Sequence, residues 1–200
     1  MMTLLGISTS SRCPSAAVMR GGEILSFQKD ESGASHSAVL MELIENALKE
    51  AGVERSGLDG VAVDIGPGSF TGVRIGVSCA NAMAYALGIS VYPVSSLAAL
   101  RCLAPDEGVT AALIDCRNGN CYAAVFIEGK VLSGPAPAVT EEVISALPAG
   151  ARTVGNCLDE NMFPDAELVL KEVLRGIVQP VPEAVPMYLR PSQAERMKQN

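Results

Sequence analysis

Tryptophan is absent, histidine occurs once, and four Phe and four Tyr supply every aromatic ring in the 200 residues. So few rings exclude a stacking platform for single-stranded nucleic acid, and one histidine cannot make a two-histidine metal site. Positive charge is short as well: 15 Lys and Arg stand against 22 Asp and Glu, a net charge of −7. Affinity for a polyanion comes mostly from phosphate neutralisation, so any RNA would have to be held by another subunit's basic surface. No uncharged apolar run reaches membrane-span length; 73–100 comes nearest and is interrupted by Arg74, Asn81, Gly88 and Pro93. The opening MMTLLGISTSSR lacks the basic segment and long apolar stretch of a signal peptide. A cytoplasmic protein without membrane contact is expected. The six cysteines contain no Cys-x-x-Cys, which removes zinc knuckles and thioredoxin-like pairs. They are expected as free, mostly buried thiols in a reducing compartment.

What is present suffices for a core: 48% of residues are hydrophobic and 18% charged, enough for one large domain or two small ones. Strands are expected over 3–7, 15–20 and 23–29, the last two joined through Gly21-Gly22, as an antiparallel meander. An amphipathic helix follows over 37–51, with Leu40, Leu43, Ile44, Ala47 and Leu48 at helical spacing and Gly52 as its stop. A buried strand at 61–65, a helix over 73–87, a short strand at 90–92 and a helix opening at Ser95 or Ser96 complete a βββαβαβα order, a mixed sheet flanked by helices. After a break at 104–108 a second half begins as the first does, with strands at 110–115, 121–128 and 130–133, then weak helices at 140–147 and 165–177. We therefore expect an α/β protein with a duplicated βββαβα plan of the actin, Hsp70 and sugar-kinase kind, divided into residues 1–103 and a reduced domain over 104–200. Pro180, Pro182, Pro186 and Pro191 favour an extended tail, closed by a capping-box helix start at Ser192 to Glu195.

The densest local signal is DIGPGSFTGVRIG, from Asp64 to Gly76. Gly66, Gly68 and Gly72 permit unusual backbone angles, and Ser69 and Thr71 can accept from the first free amides of the following helix. Helix starts of this kind attract anions, so Gly66, Gly68, Ser69, Thr71 and Gly72 form a candidate nucleotide or anion loop, against a plain strand-to-helix turn. The named motifs fail: the third glycine of a dinucleotide fingerprint belongs at position 71 and arrives at Gly72, with no acidic residue about 20 residues on. No lysine lies between Lys49 and Lys130, which excludes a Walker loop here.

The helix VRIGVSCANAMAYAL has Arg74, Ser78 and Asn81 as its clearly polar members. A helix so apolar is covered on most sides, either by its own domain or in part by a second protein. His36 sits at the start of the earlier helix between Ser35 and Ser37; capping or interface roles compete with a Ser/His nucleophile pair whose orienting acid spacing does not reveal. Asp64 and Asp115, at strand ends, are either phosphoryl-transfer acids or turn caps.

Together, STSS, ASHSAVLMELIENALKEAGV, the block from DGVAVDIGPGSFTGVRIG to VSSLAAL, ALIDCRNGNCYAAVF and VPMYLRPSQAERMK resemble the bacterial TsaB family, also called YeaZ, over nearly the whole chain. The resemblance implies a protein required to form threonylcarbamoyl-adenosine beside the anticodon of tRNAs reading codons that begin with A. It implies a noncatalytic subunit that pairs with a catalytic TsaD-like paralogue and a TsaE-like ATPase, meets tRNA only through that complex, and forms a homodimer when alone. No catalytic residue, metal or cofactor of its own is implied; ATP and metal are expected on the partners. In the family the two N-terminal helices dock the equivalent helices of the partner. Here that face would draw on His36, Leu40, Leu43, Ile44, Phe70, Thr71, Arg74, Val77, Ala80, Asn81 and Ala84. The first turn departs from the family's common Asp-Thr-Ser, reading Ser8-Thr9-Ser10, and so lacks a carboxylate that an actin-like ATPase would set near phosphate and magnesium. An actin-fold small-molecule kinase is the competing reading, and a peptidase built on His36 a third.

Overall fold

The computed structural model describes residues 1–189; the expected helix start at Ser192 lies outside them. Strands β1 (Thr3–Ser8), β2 (Ser15–Arg20) and β3 (Glu23–Lys29) form the expected antiparallel meander. Helix α1 (His36–Ala51) then crosses to β4 (Gly60–Asp64), which lies parallel to β1, and α2 (Phe70–Leu87) crosses to β5 (Ser90–Val94), parallel to β4. The sheet order is β3-β2-β1-β4-β5. Both crossover helices stop at a glycine in the left-handed region, Gly52 (φ 62°) and Gly88 (φ 66°).

The central strands of this sheet are buried on both faces, which is why they read as continuous apolar runs. On one face Leu5, Ile7, Val61 and Val63 pack with Leu40, Leu43 and Ile44 of α1 and Val73, Val77 and Ala80 of α2. On the other, Leu4, Ala17 and Ala62 pack against Val169, Leu170 and Val173 of α5 (Ala166–Leu174). At Gly6 a Cβ would lie 2.7 Å from the Ala166 carbonyl oxygen, so α5 rests directly on the β1 backbone.

The second sheet holds β6 (Val109–Asp115), β7 (Asn120–Ile127), β8 (Lys130–Val139) and β9 (Arg152–Val154), in the order β8-β7-β6-β9. Its three leading antiparallel strands and parallel fourth repeat the first sheet's plan in reduced form. Leu97 and Leu100 of α3 (Ser96–Arg101) cover one face, and Val143 of α4 (Thr140–Ala146) packs on the other. This is the duplicated actin-like plan with a smaller second half.

Three features depart from the sequence reading. Strand β8 runs to Val139 rather than ending at Ser133; Pro135 and Pro137 are accommodated because β8 is an edge strand. Strand β9, three residues long, was not expected. The division at residue 103 does not hold for the late elements: α5 and the tail return to the first sheet, while β6 to β9 and α4 form the small domain. The described part of the tail pairs with β5 through one bridge, Val91 to Val181, and farther on the Met187 N–H donates to the Ile65 carbonyl at 2.7 Å.

Candidate functional site

The end of β4 presents Asp64, which is completely buried. Its Oδ2 accepts from the Ser8 hydroxyl at 2.9 Å and the Ser10 hydroxyl at 2.5 Å, and its Oδ1 from the Ser96 hydroxyl at 2.5 Å and the Gly66 N–H at 2.9 Å. Burial pushes its pKa up and these four bonds oppose the rise. The carboxylate thus joins the first turn, the glycine turn and the start of α3. Of the two sequence readings for Asp64, the cap and clasp matches this geometry. Sequence reasoning noticed Ser8, Ser10, Asp64 and Ser96 separately and missed that they are one cluster. The available signal was four small polar residues, each at a strand or helix end inside apolar surroundings.

The glycine turn closes on the first turn. Ser69 N–H donates to the Ser10 carbonyl at 2.7 Å, Gly72 N–H to the Ser69 hydroxyl at 3.2 Å, and the Thr9 hydroxyl to the Gly72 carbonyl at 2.7 Å. A Cβ at Gly68 would stand 2.4 Å from the Ser10 carbonyl oxygen, and one at Gly72 2.0 Å from that of Thr9. Gly68 and Gly72 are therefore required for close approach, and Gly66 for its positive φ of 96°. The Gly66 and Ser69 amides are thus engaged by Asp64 and Ser10, and the Gly72 amide by the Ser69 cap. Ser69 caps α2, whose first helical residue is Phe70; Thr71 lies exposed in the first turn.

Between the two halves opens a cavity of about 480 Å³, lined by Ser10, Arg12, His36, Ser69, Asp115 and Asn156 among others. His36 Nε2 lies 2.8 Å from the Ser11 carbonyl oxygen, while the Ser35 and Ser37 hydroxyls bond each other at 2.9 Å. The histidine is thus engaged with backbone and not with a serine hydroxyl, contrary to a nucleophile pair. Asp115 caps its own turn, accepting from the Arg117 N–H at 3.0 Å. Among the described residues no group of three or more His, Cys, Asp or Glu side chains is placed to hold a metal. None of the six cysteines is in a disulfide; Cys13 and Cys121 are buried and the other four half-buried.

The residues expected to dock a partner divide between the core and the surface. Leu40, Leu43, Ile44, Val77, Ala80 and Ala84 are buried in the chain's own core, because the α1 and α2 stripes that carry them are the ones that pack on the sheet. The outward side of α2 carries Phe70, Arg74, Ser78 and Tyr85. Part of that side is already engaged by the tail. The Asn81 side chain exchanges two 2.9 Å hydrogen bonds with the Ala184 backbone, and Arg74 Nε donates to the Tyr188 hydroxyl at 2.7 Å. No helix among the described residues is long and apolar enough to cross a membrane.

Residues 29–151 match the family model described as TsaD, tRNA N6-adenosine threonylcarbamoyltransferase. The chain is 32% identical over 136 residues to the tRNA threonylcarbamoyladenosine biosynthesis protein TsaB of Haemophilus influenzae, an alignment spanning 66% of this chain and 57% of that protein. It is 30% identical over 198 residues to an uncharacterized protein of Mycobacterium tuberculosis, covering 94% of this chain and 92% of that one. A crystal structure from Pseudomonas aeruginosa, of a protein with similarity to peptidase YEAZ, superposes with a TM-score of 0.79 at 30% identity, covering 95% of this chain and all of that one. On the family match, these alignments and the shared fold, the chain belongs to the TsaB/YeaZ family.

Proposed function

We propose that this chain is a noncatalytic subunit of the complex that forms threonylcarbamoyladenosine in tRNA, working by docking a catalytic TsaD-like relative. The family supports the pathway; the state of Asp64 supports the division of labour. Nucleotide chemistry in an actin-like cleft needs a carboxylate free to meet magnesium and amides free to meet phosphate. Here the buried carboxylate is engaged by three hydroxyls and one amide, and Thr9 and Ser10 bond the Gly72 carbonyl and the Ser69 amide of the glycine turn. A carboxylate and amides so engaged suit a nucleotide poorly, although Gly68 and Ser69 line the cavity, and this disfavours the kinase reading. With a net charge of −7 the chain is poorly suited to grip tRNA by itself. ATP, metal and the basic surface belong to the partners, among them a TsaE-like ATPase, and the setting is the cytoplasm. The outward side of α2 is the docking surface, and in the partner's absence the same side supports a homodimer.

Co-purification with a tagged TsaD-like protein from the same cell tests the reading, together with calorimetry of the isolated chain against ATP and magnesium. A stable complex and no heat of nucleotide binding are expected. Turnover of ATP by the lone chain would overturn it.

A further inference from the structure

We propose that residues 181–189 are a displaceable strap over the outward stripe of α2, so that release of the strap and association through α2 form one coupled equilibrium. The proposal rests on the reading that α2 docks a relative. Phe70, Arg74, Ser78, Asn81 and Tyr85 recur at three- and four-residue steps and share one side of the helix. The chain's own tail is seated along that side. The Arg74 guanidinium lies 3.8 Å from the centroid of the Phe70 ring and 5.4 Å from that of Tyr188, and the two rings are 5.0 Å apart. Farther along α2, Asn81 holds Ala184 through both of its amide atoms. The tail therefore passes Asn81 first and Arg74 later, antiparallel to the helix, and leaves Tyr85 bare at 91% exposure. A helix laid along this stripe would meet the strap before it met α2.

The hold is light for a segment so placed. Pro182 and Pro186 have no N–H to donate, and backbone pairing with the sheet is confined to the bridge between Val91 and Val181 and to the Met187 N–H, which donates to the Ile65 carbonyl at 2.7 Å. Ala184 is buried at 3% exposure, but Val185 stands at 72%. Segments with few buried contacts open at the low end of a protein's free-energy range. A partner with greater affinity for the opened form shifts the population toward it.

Hydrogen-exchange mass spectrometry on the full chain, alone and with its catalytic relative, reads both halves of the equilibrium. The strap amides are expected to exchange faster than the core of α2 in the lone chain, and faster again in the complex. Val181→Pro deletes the N–H donated to the Val91 carbonyl at a point remote from the stripe. Loss of one such bond is expected to speed strap exchange and to tighten association about fivefold. Should V181P alter global unfolding, Tyr188→Ala loosens the other end and carries the same expectation for exchange. A strap that gains protection in the complex, or a V181P chain that associates equally or more weakly with α2 protection intact, overturns the proposal. If no complex forms, the docking reading fails on its own; the strap is then judged in the lone chain, where unchanged tail exchange in both variants overturns it.

Discussion

The Thr9 hydroxyl donates to the Gly72 carbonyl across 2.7 Å, and the same threonine leaves no space for a side chain at two positions of α2. A Cβ at Gly72 would lie 2.0 Å from the Thr9 carbonyl oxygen, and one at Gly76 2.3 Å from its hydroxyl. In an exposed helix Gly→Ala stabilises by roughly 1 kcal/mol. Here the sign reverses: Gly72→Ala is expected to destabilise by about 1–3 kcal/mol, the ordinary cost of overpacking. Urea unfolding of the variant measures it, and a gain in stability would contradict the close approach.

Asp64 leads to a second expectation. Asp64→Asn can keep an oxygen for the Gly66 N–H and the Ser96 hydroxyl but then sets an NH2 group against the Ser8 and Ser10 hydroxyls, which must turn to accept, and the Ser10 proton loses its acceptor. A loss of about 1–3 kcal/mol is expected from unsatisfied buried groups. Burial raises the Asp64 pKa, so the folded chain holds this proton more tightly than the unfolded one does. Its contribution is present in full below the ordinary carboxylate pKa of about 4 and declines as pH rises through the raised value. Denaturation at stepped pH should show that decline in the natural chain and not in D64N, so the deficit of the variant narrows as pH rises.

Asp106 has the opposite sign. It accepts from the Nη1 groups of both Arg101 and Arg175, and these guanidiniums hold its carboxyl below the usual range. Its contribution is present above the ordinary carboxylate pKa and is lost as pH falls through the lowered one. Asp106→Asn should therefore make acid unfolding shallower below about pH 4, followed by circular dichroism. An unchanged acid limb would show that the two arginines do not depend on Asp106.

Most elements were legible because local pattern and tertiary demand agreed. The strands at 15–20 and 23–29 match their expected bounds, and Gly52 ends α1 as its position suggested. The failures share a cause. The extension of β8 through Pro135 and Pro137 depends on its being an edge, the return of α5 to the first sheet depends on Gly6, and neither is local information. The Asp64 cluster draws on positions 8, 10, 64 and 96, separations over which spacing carries no signal. Burial of Val77, Ala80 and Ala84 was illegible for a related reason: small apolar residues on α2 suit its own sheet as well as a partner.

That last point separates two substitutions that sequence alone would treat alike. Ala80 has 0% exposure and lies in the core with Val77 and Leu43, whereas Tyr85, one and a half turns on, is 91% exposed. Ala80→Glu buries an unpaired carboxylate and should unfold the chain or cost more than about 3 kcal/mol. Tyr85→Glu touches nothing in the core and should leave stability within about 0.5 kcal/mol. If the outward side of α2 is the docking surface, a charge at position 85 removes an aromatic anchor and sets a desolvation cost in its place, weakening association with the catalytic relative at least about tenfold. Thermal unfolding and analytical ultracentrifugation on the two variants distinguish the cases. A folded A80E chain would refute the burial of this helix face, and undiminished association of Y85E would move the docking surface elsewhere on the molecule.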